Sequence, residues 1–476
     1  MYLFPGRSQS NFASCMALVL LMAGFFSCSP GDGQAAGLIP MLEDLNVVLV
    51  VIDTLGAEHV GCLQPGLTNT PNLDALASKG VLFRRAATTA PWTQPALTSL
   101  FTSLMPSRHD VLNILDTLDL QLKTLAERMS ERGFRTAGVV SHFMLGEIYG
   151  FAQGFDLFDE SPAGDHQAIT SHKVTDSAIS LVDTMEGNPF FLFVHYFDPH
   201  FDYIHHPEFD CTSNYSGPLY PGMKILDLRT IRDSLTPEDI EYLKGLYHEE
   251  IAYTDFHLGR LLDHLEKKGM TKNTLVIVTA DHGEEFMRHG WIGHTRTLYN
   301  ELLHIPLIVS LPGTLPPRTI DTPVSILDIV PTLMDLSATP ETDSNWEGLS
   351  LKEVLFKTPH RALKRDLFAE VSFTQPVALR QDHARNKTAI KAALLGPDLK
   401  LIHDLPTNQW ELYDRLNDIN DLRNLSAENH PMLGELQKRL RAWEKDRIQK
   451  WGIEFKAAPS AGEEEMEKLR NLGYIK

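Results

Sequence analysis

Cysteine is scarce in this sequence, with four residues among 476. Cys15 and Cys28 fall in the first 28 residues, while Cys62 and Cys211 are far apart and lack a CxxC spacing. A disulfide framework needs several paired cysteines, and a structural zinc site needs closely spaced ones. The sequence therefore predicts neither a disulfide-stapled domain nor a structural zinc site.

Positively charged residues are also few: the sequence has 43 Lys and Arg against 62 Asp and Glu, which gives a net charge of −19. Nucleic-acid partners need cationic contacts to phosphates, so no nucleic-acid partner is expected. A small anionic substrate is still compatible with this charge, because a metal ion or a histidine cluster reverses the field locally.

Long apolar runs are rare, and the main one extends from Met16 to Phe26, after Arg7. Its length is typical of a signal peptide rather than a membrane span. A small residue before Cys28 resembles a bacterial lipoprotein cleavage box, and an ordinary cleaved signal is the alternative. We therefore expect a signal peptide over 1–28, a flexible tether over 29–45, and export to the periplasm or cell surface, with lipid anchoring at Cys28.

Shorter apolar runs alternate with helical patterns in the next part of the chain. The runs are Asn46–Asp53, Thr136–Ser141, Phe190–His195 and Thr274–Thr279. Runs that are apolar on both faces are typical of buried parallel strands, so we predict an α/β fold with helices on both faces of the sheet. We assign 46–345 to this catalytic domain, 346–456 to a smaller antiparallel sheet with a helix, and 457–476 to a charged tail.

Polar residues follow three of these strands, where open α/β sheets collect their ligands. These residues are Asp53 and Thr54, Asp281 and His282, and Asp198 and His200. A single Asp at such a place is commonly a helix cap, which is the alternative interpretation. Three strand ends that carry carboxylates and imidazoles together predict a metal centre.

Two further segments carry candidate catalytic groups. Pro91 and Pro95 stiffen a turn around Thr93, and a hydroxyl at a helix start is well placed to attack an anion. The alternative is that Thr93 or Thr98 only caps the helix. His289 and His294 lie among glycines on a predicted loop, and solvated surface histidines are the alternative there.

Taken together, the motifs resemble the sulfatase family of the alkaline-phosphatase superfamily. They are Val47–Leu55, Thr70–Ala77, Leu100–His109, Ala280–Glu284, Thr297–Pro306, Asp328–Leu333 and Glu411–Leu425. The resemblance implies a large mixed sheet sandwiched by helices, with a smaller C-terminal antiparallel sheet plus helix. It also implies one divalent metal ion, Ca²⁺ by family, with Mn²⁺, Mg²⁺ or Zn²⁺ as alternatives.

The resemblance also assigns roles to individual residues. Metal ligands carry over to Asp53, Asp281 and His282, while the family's second acidic ligand is Thr54 here. The family's substrate-contacting and proton-donating positions match three histidines, His200, His294 and His142.

The nucleophile position departs from the family. Sulfatases oxidise a Cys or Ser to formylglycine, within a motif whose Arg is Leu97 here, and the oxidised position is Thr93. No formylglycine is therefore expected, and Thr93 itself is the predicted nucleophile. Threonine nucleophiles occur in superfamily relatives that act on phosphate esters.

Three functions follow from these observations. The first is hydrolysis of a sulfate ester, in which the metal activates the Thr93 hydroxyl, and His200 or His294 protonates the leaving alkoxide. The second is a phosphodiesterase or phosphotransferase that uses Thr93. The third is an inactive, lipid-anchored carbohydrate-binding protein. The expected partner is a small anionic ester or a sulfated or phosphorylated glycan.

Overall fold

The first apolar run of the sequence forms the central strand of the largest sheet. In the computed structural model, which describes residues 39–164, 168–343, 345–357, 365–372, 391–450 and 467, strand β1 (Asn46–Ile52) is buried along its whole length. It pairs in parallel with β5 (Phe190–Tyr196) and β6 (Thr274–Ala280). Neighbours on both edges and cover on both faces explain why this strand is apolar throughout.

The other strands before residue 340 extend this sheet or form a small hairpin. They are β2 (Val81–Ala87), β3 (Arg135–Val139), β4 (Leu157–Asp159), β7 (Glu285–Phe286), β8 (Ile292–Gly293), β9 (His304–Ser310), β10 (Arg318–Ile320) and β11 (Val324–Ser325). Among the described residues the sheet has nine strands in the order β10-β2-β9-β6-β1-β5-β3-β4, with β11 beside β2. Within these described strands only β9 pairs antiparallel with its neighbours, so the sheet is mixed, as the family resemblance implies.

Helices flank the sheet and connect its strands. They are α1 (Pro71–Lys79), α2 (Thr93–Thr102), α3 (Pro106–His109), α4 (Leu125–Ser130), α5 (Ser171–Met185), α6 (Ile225–Ile231), α7 (Pro237–Lys267), α8 (Asn300–Leu303), α9 (Ile329–Leu336), α10 (Lys352–Phe356) and α11 (Leu433–Lys450). Helix α7 begins at a capping box of Thr236 and Asp239, with Pro237 at the first helical position.

The C-terminal part forms the predicted antiparallel sheet. Its strands are β12 (Leu367–Val371), β13 (Lys391–Leu395), β14 (Leu399–Asp404) and β15 (Gln409–Asp414). They pair in sequence order, and α11 packs against the sheet through Leu436 and Leu440.

The chain from Ile39 onwards is one compact unit that includes both sheets. Leu42 and Leu45 are buried in the main core, so the last residues of the segment predicted as a flexible tether belong to the folded unit. The predicted signal peptide, with Cys15 and Cys28, lies outside the described residues, as does the predicted tail apart from Glu467. Among the residues described, no helix has the length and apolar character of a membrane span.

Candidate active site

The ends of the two central parallel strands bring three predicted metal ligands together. Asp53 follows β1, and Asp281 and His282 follow β6, so all three lie at the same edge of the sheet. One ligand atom from each lies within 4.8 Å of the others, and all three side chains are fully buried. We call these residues the Asp53 cluster.

Hydrogen bonds hold the cluster so that its remaining electron pairs converge. Asp281 Oδ1 accepts from the backbone N–H groups of Thr54 at 3.1 Å and His282 at 2.8 Å. His282 Nδ1 lies 2.8 Å from the carbonyl of Gly283, which assigns the proton to Nδ1. Its Nε2 is then the lone-pair nitrogen, 3.4 Å from Asp281 Oδ2 and 3.6 Å from Asp53 Oδ1.

This arrangement fits a divalent cation. Among the described residues, Asp53 Oδ1 and Asp281 Oδ2 have no hydrogen-bond partner, although both are buried. Burial and the charge of Asp281 raise the pKa of Asp53 well above its usual range. Buried carboxylate oxygens without partners are costly, and a cation between them removes both the desolvation cost and the repulsion. Two carboxylates with one imidazole whose other nitrogen binds a carbonyl form an ordinary metal-ligand set.

Thr54 contributes to the cluster through its backbone. It has a φ of 54°, which is uncommon for a β-branched residue, and its N–H group donates to Asp281. The Tyr247 hydroxyl donates to the Thr54 carbonyl at 2.6 Å and so holds this conformation. The Thr54 side chain is buried, and its role as a ligand stays a prediction.

Thr93 is the first residue of helix α2, and its hydroxyl faces the Asp53 cluster. Its Oγ1 lies 3.4 Å from Asp53 Oδ2 and 3.4 Å from His282 Nε2. The first N–H groups of a helix have no partner within it, so negative charge is favoured at this position. One turn later, Leu97 is fully buried in the hydrophobic core, so the place of the family's Arg is filled by an apolar side chain.

The three predicted catalytic histidines form a row that leads away from the cluster. The ring centroids of His282 and His294 are 4.5 Å apart, those of His294 and His200 are 4.8 Å apart, and those of His200 and His142 are 5.9 Å apart. His294 Nδ1 lies 3.0 Å from Glu284 Oε1, which orients the ring. Burial raises the pKa of Glu284 well above its usual range.

The other two histidines of the row are fixed by the backbone. His200 Nδ1 donates to the carbonyl of Phe201 at 2.9 Å. His142 Nδ1 accepts from the N–H group of Met144 at 3.1 Å. All three predicted histidines are buried. The row that they form begins beside His282, whose Nε2 lies 3.4 Å from Thr93 Oγ1. Their catalytic roles stay predictions.

His195 also adjoins the cluster, and sequence reasoning missed it. It is the sixth residue of β5, fully buried, with Nε2 3.4 Å from Asp53 Oδ2. Neither ring nitrogen has a hydrogen-bond partner within the described part of the chain. Burial lowers the pKa of His195 to about 4, so the ring is neutral. A histidine inside an apolar strand that pairs directly with the strand before Asp53 was the available signal.

A second group of acids and one histidine lies nearby but differs in its partners. It contains Glu285, His289 and Glu301, and we call it the Glu301 cluster. His289 Nδ1 lies 2.7 Å from Glu301 Oε1, and Arg288 contacts Glu301 at 3.5 Å and Glu58 at 2.8 Å. His289 is therefore not a solvated surface residue, and Arg288 and His289 pair with Glu301 in this cluster.

A third group, His205, Asp210 and Glu249, lies at the start of a loop beside α7. Glu249 Oε2 pairs with His205 at 2.7 Å. Its Oε1 accepts from the backbone of Cys211 at 3.0 Å and from the Thr212 hydroxyl at 2.9 Å. Because both oxygens of Glu249 already have donors, this group fastens a loop to the helix.

Comparisons with known proteins agree with the fold. A profile of the sulfatase family matches residues 45–339, and one of the C-terminal part of N-sulphoglucosamine sulphohydrolase matches residues 287–447. An uncharacterized sulfatase of Escherichia coli is 24% identical over 88% of this chain and 94% of its own.

Solved structures are similar over most of the chain as well. A protein in complex with its substrate D-glucosamine-2-N,6-O-disulfate has a TM-score of 0.69 at 20% identity, over 87% of this chain and 100% of its own. A phosphonate monoester hydrolase from Silicibacter pomeroyi has a TM-score of 0.68 at 19% identity, over 85% and 95%. The predicted alkaline-phosphatase-like fold with a large mixed sheet is confirmed.

Proposed function

Because the chain belongs to the sulfatase family, a family of ester hydrolases, we propose that it hydrolyses a sulfate ester with Thr93 as the nucleophile. The observation that carries this proposal is the position of the Thr93 hydroxyl, 3.4 Å from both Asp53 and His282. The Thr93 hydroxyl thus lies beside the lone pairs of the Asp53 cluster, and Thr93 is also the first residue of helix α2.

The chain's own residues supply the groups for a double displacement. A divalent ion bound by the Asp53 cluster would stabilise the ionised hydroxyl and the charge on the ester oxygens. The Thr93 oxygen attacks sulfur, its proton passes to Asp53 Oδ2, and the bond between sulfur and the ester oxygen breaks. His294 gives a proton to the leaving alkoxide. Water then attacks sulfur and gives a proton to His200, the bond between sulfur and the Thr93 oxygen breaks, and the proton held by Asp53 returns to that oxygen. Transfer of a proton from His200 to His294 restores both rings.

His294 is assigned as the acid because its ring lies 4.5 Å from that of His282, whereas His200 is the next ring of the row, 4.8 Å beyond His294. Its contact with Glu284 fixes the ring orientation. His142 lies at the far end of the row, where it supports His200 and borders the substrate.

We propose Ca²⁺ as the resident ion. Carboxylate oxygens are the preferred ligands of Ca²⁺, Mg²⁺ and Mn²⁺, and the imidazole of His282 also accommodates Mn²⁺ and Zn²⁺. His195 lies 3.4 Å from Asp53 Oδ2 and would therefore border the ion. No formylglycine takes part, since Thr93 carries the nucleophilic oxygen.

Hydrolysis of a phosphate or phosphonate ester is the second candidate. A threonine hydroxyl is a suitable nucleophile for phosphorus, and a phosphonate monoester hydrolase shares this fold at a TM-score of 0.68. The geometry of the Thr93 hydroxyl and the two carboxylates suits an in-line attack on either centre.

The organic part of the substrate is proposed to be a sulfated sugar. A similar solved structure holds D-glucosamine-2-N,6-O-disulfate as its substrate. Export of the protein, with lipid anchoring at Cys28, would place it where such glycans occur, and both features rest on the sequence of the first 28 residues.

Paired nitrophenyl substrates test the proposal. The purified chain is assayed on nitrophenyl sulfate and on a nitrophenyl phosphodiester, with Thr93→Ala as the control. We expect faster release from the sulfate and loss of turnover in the variant. Faster release from the phosphodiester, again lost in Thr93→Ala, would favour the second candidate. Turnover of neither ester would contradict both and leave a carbohydrate-binding protein.

A further inference from the structure

We propose that a second anion site lies between the main sheet and the C-terminal sheet, where two arginines bind a sulfate or carboxylate group. The residues are Arg84, Arg85 and Arg415, with Asn300 and His304, and we call them the arginine cleft. They line a cavity of about 130 Å³. The site itself does not depend on the proposed function, whereas a sulfated sugar as its natural ligand does.

A bulge in the main sheet aims two of the arginines at the cleft. The register of β2 against β9 shifts between Phe83 and Ala86, so Arg84 and Arg85 together oppose the single residue Pro306. Proline has no N–H group for the ladder, and a bulge accommodates it. Bulges redirect side chains out of the regular alternation, which explains two successive arginines at one edge.

The third arginine comes from the other sheet. Arg415 follows β15, and its guanidinium donates to the carbonyl of Gly396 at 2.6 Å. Arg85 donates to the neighbouring carbonyl of Pro397. Both guanidinium groups are thus held by one turn between β13 and β14.

These two guanidinium groups carry charge that no contacting carboxylate neutralises. Within the described ranges, neither Arg85 nor Arg415 has an ion pair within 4.0 Å, whereas Arg84 pairs with Asp321 at 2.7 Å. Burial, together with the charge of Arg85, lowers the pKa of Arg415 to about 10, against smaller opposite effects of Asp421 and Asp398. Two half-buried like charges side by side are unfavourable unless an anion joins them.

The two acids that line the cavity accept hydrogen bonds from donors other than the three arginines. Asp421 accepts from the ammonium group of Lys400 and from the backbone of Asn300 at 2.7 Å. Asp418 accepts from two backbone N–H groups of the following turn, at 3.0 Å and 2.8 Å. A planar guanidinium pair offers parallel donors to an oxyanion, and sulfate and carboxylate are the oxyanions that sugars carry.

An adjoining cavity gives room for the rest of a sugar. It has a volume of about 770 Å³ and shares Arg84, Asn300, His304 and Ile419 with the arginine cleft. This volume lies within the range of roughly 300–1,000 Å³ that is usual for small-molecule sites. The exposed side chains of Leu416 and Ile419 border the cleft and offer an apolar surface for a sugar ring.

The arginine cleft is separate from Thr93. Helix α8 lies between them, because Leu302 accepts a hydrogen bond from Gly283, beside His282, while Asn300 lines the cleft. An anionic group of a longer glycan would thus be held apart from the group that reacts.

Calorimetric titration with inorganic sulfate and with D-glucosamine-2-N,6-O-disulfate tests the site. No EDTA is added, because its carboxylates would compete for the arginine cleft, and binding that the arginine variants retain is assigned to the Asp53 cluster. We expect Arg85→Gln and Arg415→Gln to raise the Kd about tenfold or more, as loss of a charged hydrogen bond does. Arg423→Gln, an exposed arginine paired with Glu428 on the same subdomain, is the control and should bind as the wild type does.

The outcomes separate the two sources of the anion. A disulfated sugar that binds at least about tenfold more tightly than sulfate supports a glycan ligand, and equal affinity supports the free anion. Unchanged affinity in both arginine variants, or equal loss in Arg423→Gln, would overturn the proposal. If Arg415→Gln does not fold, Arg85→Gln decides alone, because it loses only one contact to a carbonyl. Loss of turnover in Thr93→Ala without loss of this binding shows that the two sites are independent.

Discussion

The Asp53 cluster and the Glu301 cluster contain the same kinds of side chain, two carboxyl groups and one imidazole, yet they differ in what balances their charge. Arg288 and His289 neutralise Glu301, and the His289 ring stacks on Tyr299 at 3.7 Å between centroids. Asp53 contacts the imidazoles of His195 and His282 and the Thr93 hydroxyl, and no Lys or Arg pairs with it among the described residues.

This difference in partners distinguishes a set of metal ligands from a structural ion pair. In the Glu301 cluster, burial and the charge of Glu301 raise the pKa of Glu285 well above its usual range, and Arg288 and His289 pair with Glu301. Both carboxyl oxygens of Glu285 lack a hydrogen-bond partner among the described residues, so buried oxygens of this kind occur in both clusters. In the Asp53 cluster two carboxylate oxygens and one imidazole nitrogen lie close together, and no Lys or Arg pairs with them within the described ranges. Residue type alone does not separate the two cases, and the arginine beside Glu301 does.

The largest expected effect separates the hydroxyl groups of the two regions. Thr93→Ala removes the attacking oxygen, and we expect turnover to fall by roughly 10⁴-fold or more. Thr297 interacts with Glu285 in the other cluster, so Thr297→Ala is a matched control that should retain turnover. Steady-state assays on a nitrophenyl ester measure the turnover of both variants. Similar losses in the two variants would contradict the assignment of the nucleophile to Thr93.

A loss of about 10²- to 10³-fold in turnover is expected for Asp53→Asn, because one charged ligand disappears. Its bound metal, measured by mass spectrometry of the digested protein, should fall as well. Glu301→Gln removes a carboxylate from the other cluster and should lower the melting temperature without changing metal content. The reverse pattern would assign the metal to the Glu301 cluster.

A smaller effect is expected for His195→Ala. If His195 positions Asp53, metal affinity should weaken about 10- to 100-fold, as for other groups that orient metal ligands. His403→Ala is the control, because His403 pairs with Glu444 at 2.7 Å in the C-terminal sheet. Competition with a fluorescent chelator measures the Kd of the metal, and an unchanged value in His195→Ala would show that this imidazole only fills space.

The smallest effect is on pH-dependent stability in the Glu301 cluster. Burial opposes protonation of His289, but its hydrogen bond to Glu301 raises its pKa above the ordinary value. The folded state therefore binds more protons than the unfolded state, and this stabilisation is complete below about pH 6.5 and declines as the pH rises through the folded pKa. The melting temperature of His289→Gln should fall below that of the wild type at pH 6 by more than at pH 8. A constant or growing difference would contradict this sign.

The main strands and the centre of the site were predictable because they follow simple rules. Parallel strands buried on both faces are apolar throughout, and their carboxyl ends meet at one edge, which brought Asp53 and Asp281 together as expected. Thr93 was predictable from its place at a helix start after a proline-stiffened turn.

Features that depend on contacts far apart in sequence escaped prediction. His195 looked like an ordinary member of an apolar strand, and only the pairing of β1 with β5 brings it to Asp53. Arg85 and Arg415 are 330 positions apart in number, and no local pattern joins a bulge in one sheet to the end of a strand in another. The buried Leu42 likewise follows a segment without periodicity, and its burial depends on the core that it meets.

Whether the Asp53 cluster is a metal-dependent catalytic centre is best tested by measuring metal content together with turnover, on the wild-type chain and on Asp281→Ala. We expect about one divalent ion per wild-type chain and turnover of an aryl ester that chelation abolishes. In Asp281→Ala we expect loss of both the ion and turnover. A wild-type chain that hydrolyses the ester equally well without a bound ion, or an Asp281→Ala variant that keeps both, would contradict a metal-dependent centre at the Asp53 cluster.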